Sequence, residues 1–176
     1  MTEPEITPAK RTIAKLPLAA AVVALAGLAD AVYLTAHHYN AEPVPCGAAF
    51  DCEMVLTSPF ATLGGIINWF SPGMMAATGS VSDIPLAAFG AAAYFVAFAL
   101  ATLTAFGDRR MWKLFGAHVV LMAAFSGWLI YVQAALIGAY CQFCLISAAT
   151  TFTLLIIFII SLFLGPGTTK IAESLD

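Results

Sequence analysis

Long apolar runs organise this chain, and they are too long and too continuous for the alternation of a half-buried strand. Four of them, at about 16–36, 84–106, 114–137 and 141–164, are near the roughly 20 residues a helix needs to cross about 30 Å of hydrocarbon. A fifth apolar stretch, FATLGGIINWFSPGMMAA at 60–77, is broken by Gly64, Gly65, Pro72 and Gly73 and carries Asn68 at its middle. It is expected to be a short interfacial or re-entrant helix with Trp69 and Phe70 at headgroup depth, or an apolar loop packed over the mouth of the bundle. The pattern predicts an all-α integral membrane protein. It is a four-helix bundle with a long loop at 37–83, and 1–176 forms a single membrane domain. Residues 1–14 and 165–176 read as disordered tails.

Composition sharpens this picture. The 176 residues are 61% hydrophobic and 10% charged, with a mean hydropathy of +0.92. Ordinary soluble domains are far less apolar. The net charge of −3 and the lack of a basic patch give no reason to expect nucleic acid as a partner. The first run follows Lys10, Arg11 and Lys15 and resembles a signal peptide, but its length and Asp30 favour an uncleaved span.

Charge placement sets the orientation. All seven Lys and Arg lie before the first run, at 109–113, or after the last run, and the 37–83 loop has none. The positive-inside rule then puts both termini in the cytoplasm and the long loop outside it.

All four cysteines fall on that outer side, where disulfides persist. Cys46 and Cys52 lie in the loop with five residues between them, enough for a disulfide-closed loop. The segment after Cys52, EMVLTSPF, is expected to start a short helix that stops before Pro59. Cys141 and Cys144 open the last span in GAYCQFCLIS. On a helix, positions i and i+3 share a face. A helix N-terminus also favours the thiolate. Cys144 would sit one turn deeper, about 4.5 Å along the axis. A four-thiolate structural zinc site and two static disulfides are the competing readings. The first is unusual at an oxidising surface, and a C-x-x-C disulfide at a helix start is more often redox-active than structural. Paired thiols that turn over need an electron acceptor. With no haem, flavin or nucleotide motif in view, a lipophilic quinone is the simplest one.

These residues resemble the vitamin K epoxide reductase family, in particular its bacterial members, over roughly 16–164. The loop cysteine pair is followed by Ser58 in CEMVLTSPFA, then by IPLAAFG at the start of the second span, then by C-x-x-C at the last. The resemblance implies four helices around a quinone of the menaquinone, ubiquinone or vitamin K type. Electrons would pass from a separate thioredoxin-fold protein to Cys46–Cys52, from Cys52 to Cys141, and from Cys144 to the quinone. Ser58 would support the reactive centre. Leu86, Phe89 and Ala148 would line the quinone beside Cys144. Some members have Asn where this chain has Leu86, and animal members have Tyr where it has Ala148, so quinone hydrogen bonding here departs from theirs. The implied activity is quinone-dependent disulfide formation at a bacterial cytoplasmic membrane, with reduction of vitamin K epoxide or quinone proper as the alternative. The unrelated disulfide-bond protein B family has its two cysteine pairs in the opposite order.

Three further polar residues stand out. Asp30 is expected to bond a neighbouring helix rather than relay protons. His37 and His38 are expected at the exposed rim. His118 is expected to be hydrogen-bonded inside the bundle, far from the thiols.

Overall fold

A computed structural model describes residues 15–40, 43–72, 82–106 and 109–163. Its long helices are α1 (Lys15–Asn40), α4 (Leu86–Ala105), α5 (Arg109–Tyr131, continued by a wider turn over Val132–Ile137) and α6 (Gln142–Phe163). Two short helices, α2 (Cys52–Leu56) and α3 (Leu63–Phe70), lie in the loop between α1 and α4. Among the described residues four helices are long and apolar enough to cross a membrane, and the protein is an integral membrane protein. Large apolar side chains such as Leu18, Phe95, Leu121 and Leu162 are exposed on the outside of the bundle, as a lipid solvent allows.

Small residues bring the helices together. Ala20, Ala24, Gly27 and Ala31 form a buried stripe on α1 at helical spacing. α1 packs most extensively on α4, and also on α6. The Tyr94 ring of α4 occupies the space beside Gly27 that a side chain would fill. Polar side chains add cross-ties. Trp112 Nε1 donates to Ser161 Oγ (2.7 Å), linking α5 to α6, and His118 Nε2 meets the Ala93 carbonyl (2.9 Å), linking α5 to α4.

The helix ends differ from the expected boundaries for identifiable reasons. α1 runs on to Asn40 and α5 begins at Arg109, because backbone hydrogen bonding does not stop where apolarity does. α4 starts at Leu86, since Pro85 caps it in an extended conformation and has no N–H to give. α6 starts at Gln142, so Cys141 precedes the span rather than opening it. The tails at 1–14 and 165–176 lie outside the described residues.

The 60–77 stretch resolves into α3, with Thr62 Oγ1 capping the Gly65 N–H (3.3 Å), and ends at Ser71. Positions 73–77 lie outside the described residues. Phe60 and Trp69 meet edge to face, and Phe70 lies 5.9 Å from Trp128 of α5 between ring centroids. α3 therefore packs against one end of the bundle, while Trp69 and Phe70 stay largely exposed. The predicted short helix after Cys52 is present, and Thr57 ends it before Pro59.

Candidate active site

The cysteine chemistry gathers at the end of the bundle that carries α2 and α3. Cys46 and Cys52 form a disulfide with a Cα–Cα distance of 6.2 Å. Asp51 caps α2 by accepting the Met54 N–H (3.0 Å), which fixes Cys52 on the helix's first turn. Cys52 and Cys141 are fully buried in one apolar cluster with Val55 and Ala139, against which Cys46 and Cys144 pack. Two cross-ties hold the loop to the C-x-x-C segment. The Asp51 N–H donates to the Tyr140 carbonyl (3.0 Å), and the Gly47 N–H donates to Gln142 Oε1 (3.1 Å).

Cys141 occupies the N-cap of α6. Its carbonyl accepts the Leu145 N–H (3.1 Å), and its sulfur accepts the Cys144 N–H (3.4 Å), the bond a capping oxygen normally makes. Hydrogen bonding from the Cys144 side chain, helped by the Cys144 and Phe143 backbone N–H groups and opposed by burial, brings the Cys141 thiol down to about 7. An ordinary cysteine titrates near 8.5. Cys141 is closed to solvent and packs in one cluster with Cys52 and Cys144.

The turn that delivers Cys141 is built by Gln133. The last turn of α5 widens so that the Gly138 N–H reaches the Gln133 carbonyl (2.9 Å), and Gly138 reverses the chain at φ +72°, where side chains are strained. Gln133 Oε1 then accepts the Cys141 N–H (2.8 Å).

A mostly apolar cavity of about 430 Å³ lies on the bundle side of the thiols. Cys144 lines it, together with Ser58, Leu86, Phe89 and Ala148. Cys141 is not among its lining residues, so the two thiols of the C-x-x-C face different surroundings. Phe60 and Ala61 close it from the loop, and His38 stands at its margin. Ser58 Oγ donates to the Val55 carbonyl (2.7 Å), so this hydroxyl braces the end of α2. The cavity has the size and lining of a small-molecule site, walled by residues of α1, α4, α5 and α6.

A sequence model of the vitamin K epoxide reductase family matches residues 18–159. This chain belongs to that family. A search of curated proteins returned no match. As a member of the vitamin K epoxide reductase family, it is a membrane oxidoreductase, and the family is generally linked to quinones.

Other polar groups in this family member sit where sequence alone did not point. The Tyr94 hydroxyl donates to the Ser147 carbonyl (2.6 Å) and also meets Ser147 Oγ (3.0 Å) and Thr151 Oγ1 (2.7 Å), tying α4 to α6 behind the cavity. A tyrosine inside an apolar span is a signal for such a buried anchor. Gln133 gave the same kind of signal, a lone amide near a span end. Asp30 does not make the expected bond to a neighbouring helix. Its Oδ2 is buried without a hydrogen-bond partner among the described residues. His37 is half-buried against the Tyr33 ring, at 4.3 Å between centroids, while His38 is exposed as expected.

Proposed function

We propose that the protein oxidises the dithiol of a separate thioredoxin-fold partner outside the cytoplasm and passes the electrons to a membrane quinone, sustaining disulfide formation. The observation that carries this reading is the position of Cys141, buried in one cluster with Cys52 while its neighbour Cys144 lines an apolar cavity.

Exposure orders the steps. Cys46 is half-buried, whereas Cys52 and Cys141 are closed off. A partner thiolate attacks Cys46 and frees Cys52. The second partner thiol then displaces Cys46, leaving an oxidised partner and two loop thiols. Cys52 attacks Cys141 of an oxidised C-x-x-C pair, breaking its bond to Cys144. Cys46 then displaces Cys141 from Cys52. The net exchange oxidises the loop pair and reduces Cys141 and Cys144. Those two thiols reform their disulfide by delivering two electrons and two protons to a quinone, which supplies the oxidising equivalent. The residues of the chain hold the thiols in sequence, keep water from Cys141 and present Cys144 to the ring site.

The one-sided distribution of Lys and Arg supports a cytoplasmic position for both termini and an outer position for the thiols. The test is purified protein in nanodiscs supplied with a reduced thioredoxin-like protein and either a ubiquinone or a naphthoquinone. Quinone reduction that matches partner oxidation one for one supports the reading. Its absence with both quinone classes contradicts it.

A further inference from the structure

From the donors left on the cavity wall, we infer that the Gln133 side chain is the group that binds the reducible oxygen of the acceptor, a conclusion that rests on the function proposed above. Leu86 and Ala148 line the cavity and offer no donor. Of the other polar side chains on the cavity wall, His38 is exposed at the outer margin rather than held inside, and two hydroxyls are already committed. The Ser58 proton is given to the Val55 carbonyl and the Tyr94 proton to the Ser147 carbonyl. With the tyrosine proton so placed, the short contact between hydroxyls has Ser147 Oγ donating to Tyr94. Ser126 lies seven residues before Gln133 on the same helix, two turns or about 10 Å from it along the axis.

Gln133 differs from all of these. It is 4% exposed, yet it lines the cavity. A backbone N–H can bond only the oxygen of a carboxamide, so the Cys141 contact fixes which way the amide is turned. The amide Nε2 then carries two donors with no acceptor among the described residues. One side chain thus grips the backbone of the nucleophilic cysteine through its oxygen and offers its NH₂ to the cavity that Cys144 enters. A hydrogen bond from that NH₂ to a quinone carbonyl stabilises the negative charge that builds on oxygen as the thiols deliver electrons. It also sets the ring against the C-x-x-C pair, since donor and nucleophile share a frame.

The discriminating variant is Gln133→Glu. The Glu carboxyl still accepts the Cys141 N–H but lacks the amide NH₂. Because burial favours the protonated carboxyl, binding is compared at pH 7 and pH 9, and the ionised form has no proton to give. The probes are menadione and 2-methylnaphthalene, which has the same ring system without the carbonyls. Binding to nanodisc-embedded protein is followed by quenching of tryptophan fluorescence. The expected result is menadione binding weakened about tenfold or more, because a buried acceptor loses its donor. The hydrocarbon should bind as before, within about twofold, a margin set by the size of ordinary uncertainty in one contact. Unchanged menadione binding overturns the inference, and so does an equal loss for both probes, which means a distorted cavity. Infrared spectra of menadione bound to the unsubstituted protein need no variant. A carbonyl stretch lowered from its value in hydrocarbon is expected, and an unshifted band overturns the inference. The two proposals separate cleanly. Reduction of quinone by the parent protein with normal menadione binding in Gln133→Glu removes the Gln133 role alone. A lowered carbonyl band without partner-driven turnover removes the proposed function alone.

Discussion

Gly27→Ala tests the tightest helix contact that supports the cavity. A Cβ at position 27 would run into Cε1 of Tyr94 and lie 2.6 Å from Cζ and 2.7 Å from Cδ1 of the same ring. Ordinary carbon contacts fall near 3.5–4.0 Å, so the ring must retreat by roughly 1 Å. It is not free to do so, because its hydroxyl is held by Ser147 and Thr151 at 2.6–3.0 Å. Overpacking of this kind costs about 1–3 kcal/mol. Interhelical hydrogen bonds in membranes average about 0.6 kcal/mol each, so loosening the network adds up to about 2 kcal/mol. Alanine's better helix propensity returns at most about 1 kcal/mol. The balance is a loss of about 2–4 kcal/mol, or a fall in Tm of roughly 4–16 °C for a chain of this size. Thermal unfolding of purified protein, read by reaction of the fully buried Cys141 with a thiol-reactive fluorophore, measures it. In a Tyr94→Phe background the ring is untethered, and the same glycine substitution is expected to cost about 1–2 kcal/mol less. A Gly27→Ala protein as stable as its parent, or more stable, would refute the reasoning.

Two further outcomes follow from the same geometry. With Cys46 and Cys52 joined, only Cys141 and Cys144 titrate as thiols, and ultraviolet thiolate absorbance should rise with a first midpoint at about 7. Because this value is lowered, the thiolate persists down to that pH and is lost below it. Cys144→Ala removes the largest cause, so the midpoint should climb toward about 8.5, and an unchanged midpoint contradicts the assigned cause. For topology, a reporter fused after Lys170 should read as cytoplasmic and one inserted near Asn40 as lying across the membrane from it. An outer reading after Lys170 rules out the four-span arrangement.

The four spans and the four thiols were legible in the chain because run length and cysteine spacing are local properties. Span ends were less so. Cys141 was expected as the first residue of the last span, yet it stands outside α6 and caps it with its sulfur. That placement depends on Gln133, eight residues earlier, whose amide takes the Cys141 N–H. A single glutamine at the end of an apolar run has no periodic partner that announces such a role. Asp30 failed in the opposite way. The cost of a carboxylate in a span implied a bonded neighbour, but its Oδ2 is buried without a hydrogen-bond partner among the described residues. The Tyr94 network was hidden for a simpler reason. Ser147 and Thr151 lie on one face of α6, but which helix they meet is a matter of packing rather than pattern.

The order of the thiols is the centre of the account, and Cys144→Ala examines it directly. In that protein Cys141 can still attack the Cys46–Cys52 disulfide at Cys52, and no second thiol on α6 remains to draw Cys141 away. Cys46 alone can reverse the step, so Cys46→Ala/Cys144→Ala under mild oxidation should lock the adduct. Non-reducing peptide mapping of both proteins is predicted to find a Cys52–Cys141 disulfide, minor or major in the first and dominant in the second. Only Cys46–Cys52 in the single variant together with free Cys52 and Cys141 in the double, or Cys144 in place of Cys141 joined to the loop in the parent protein, would contradict it.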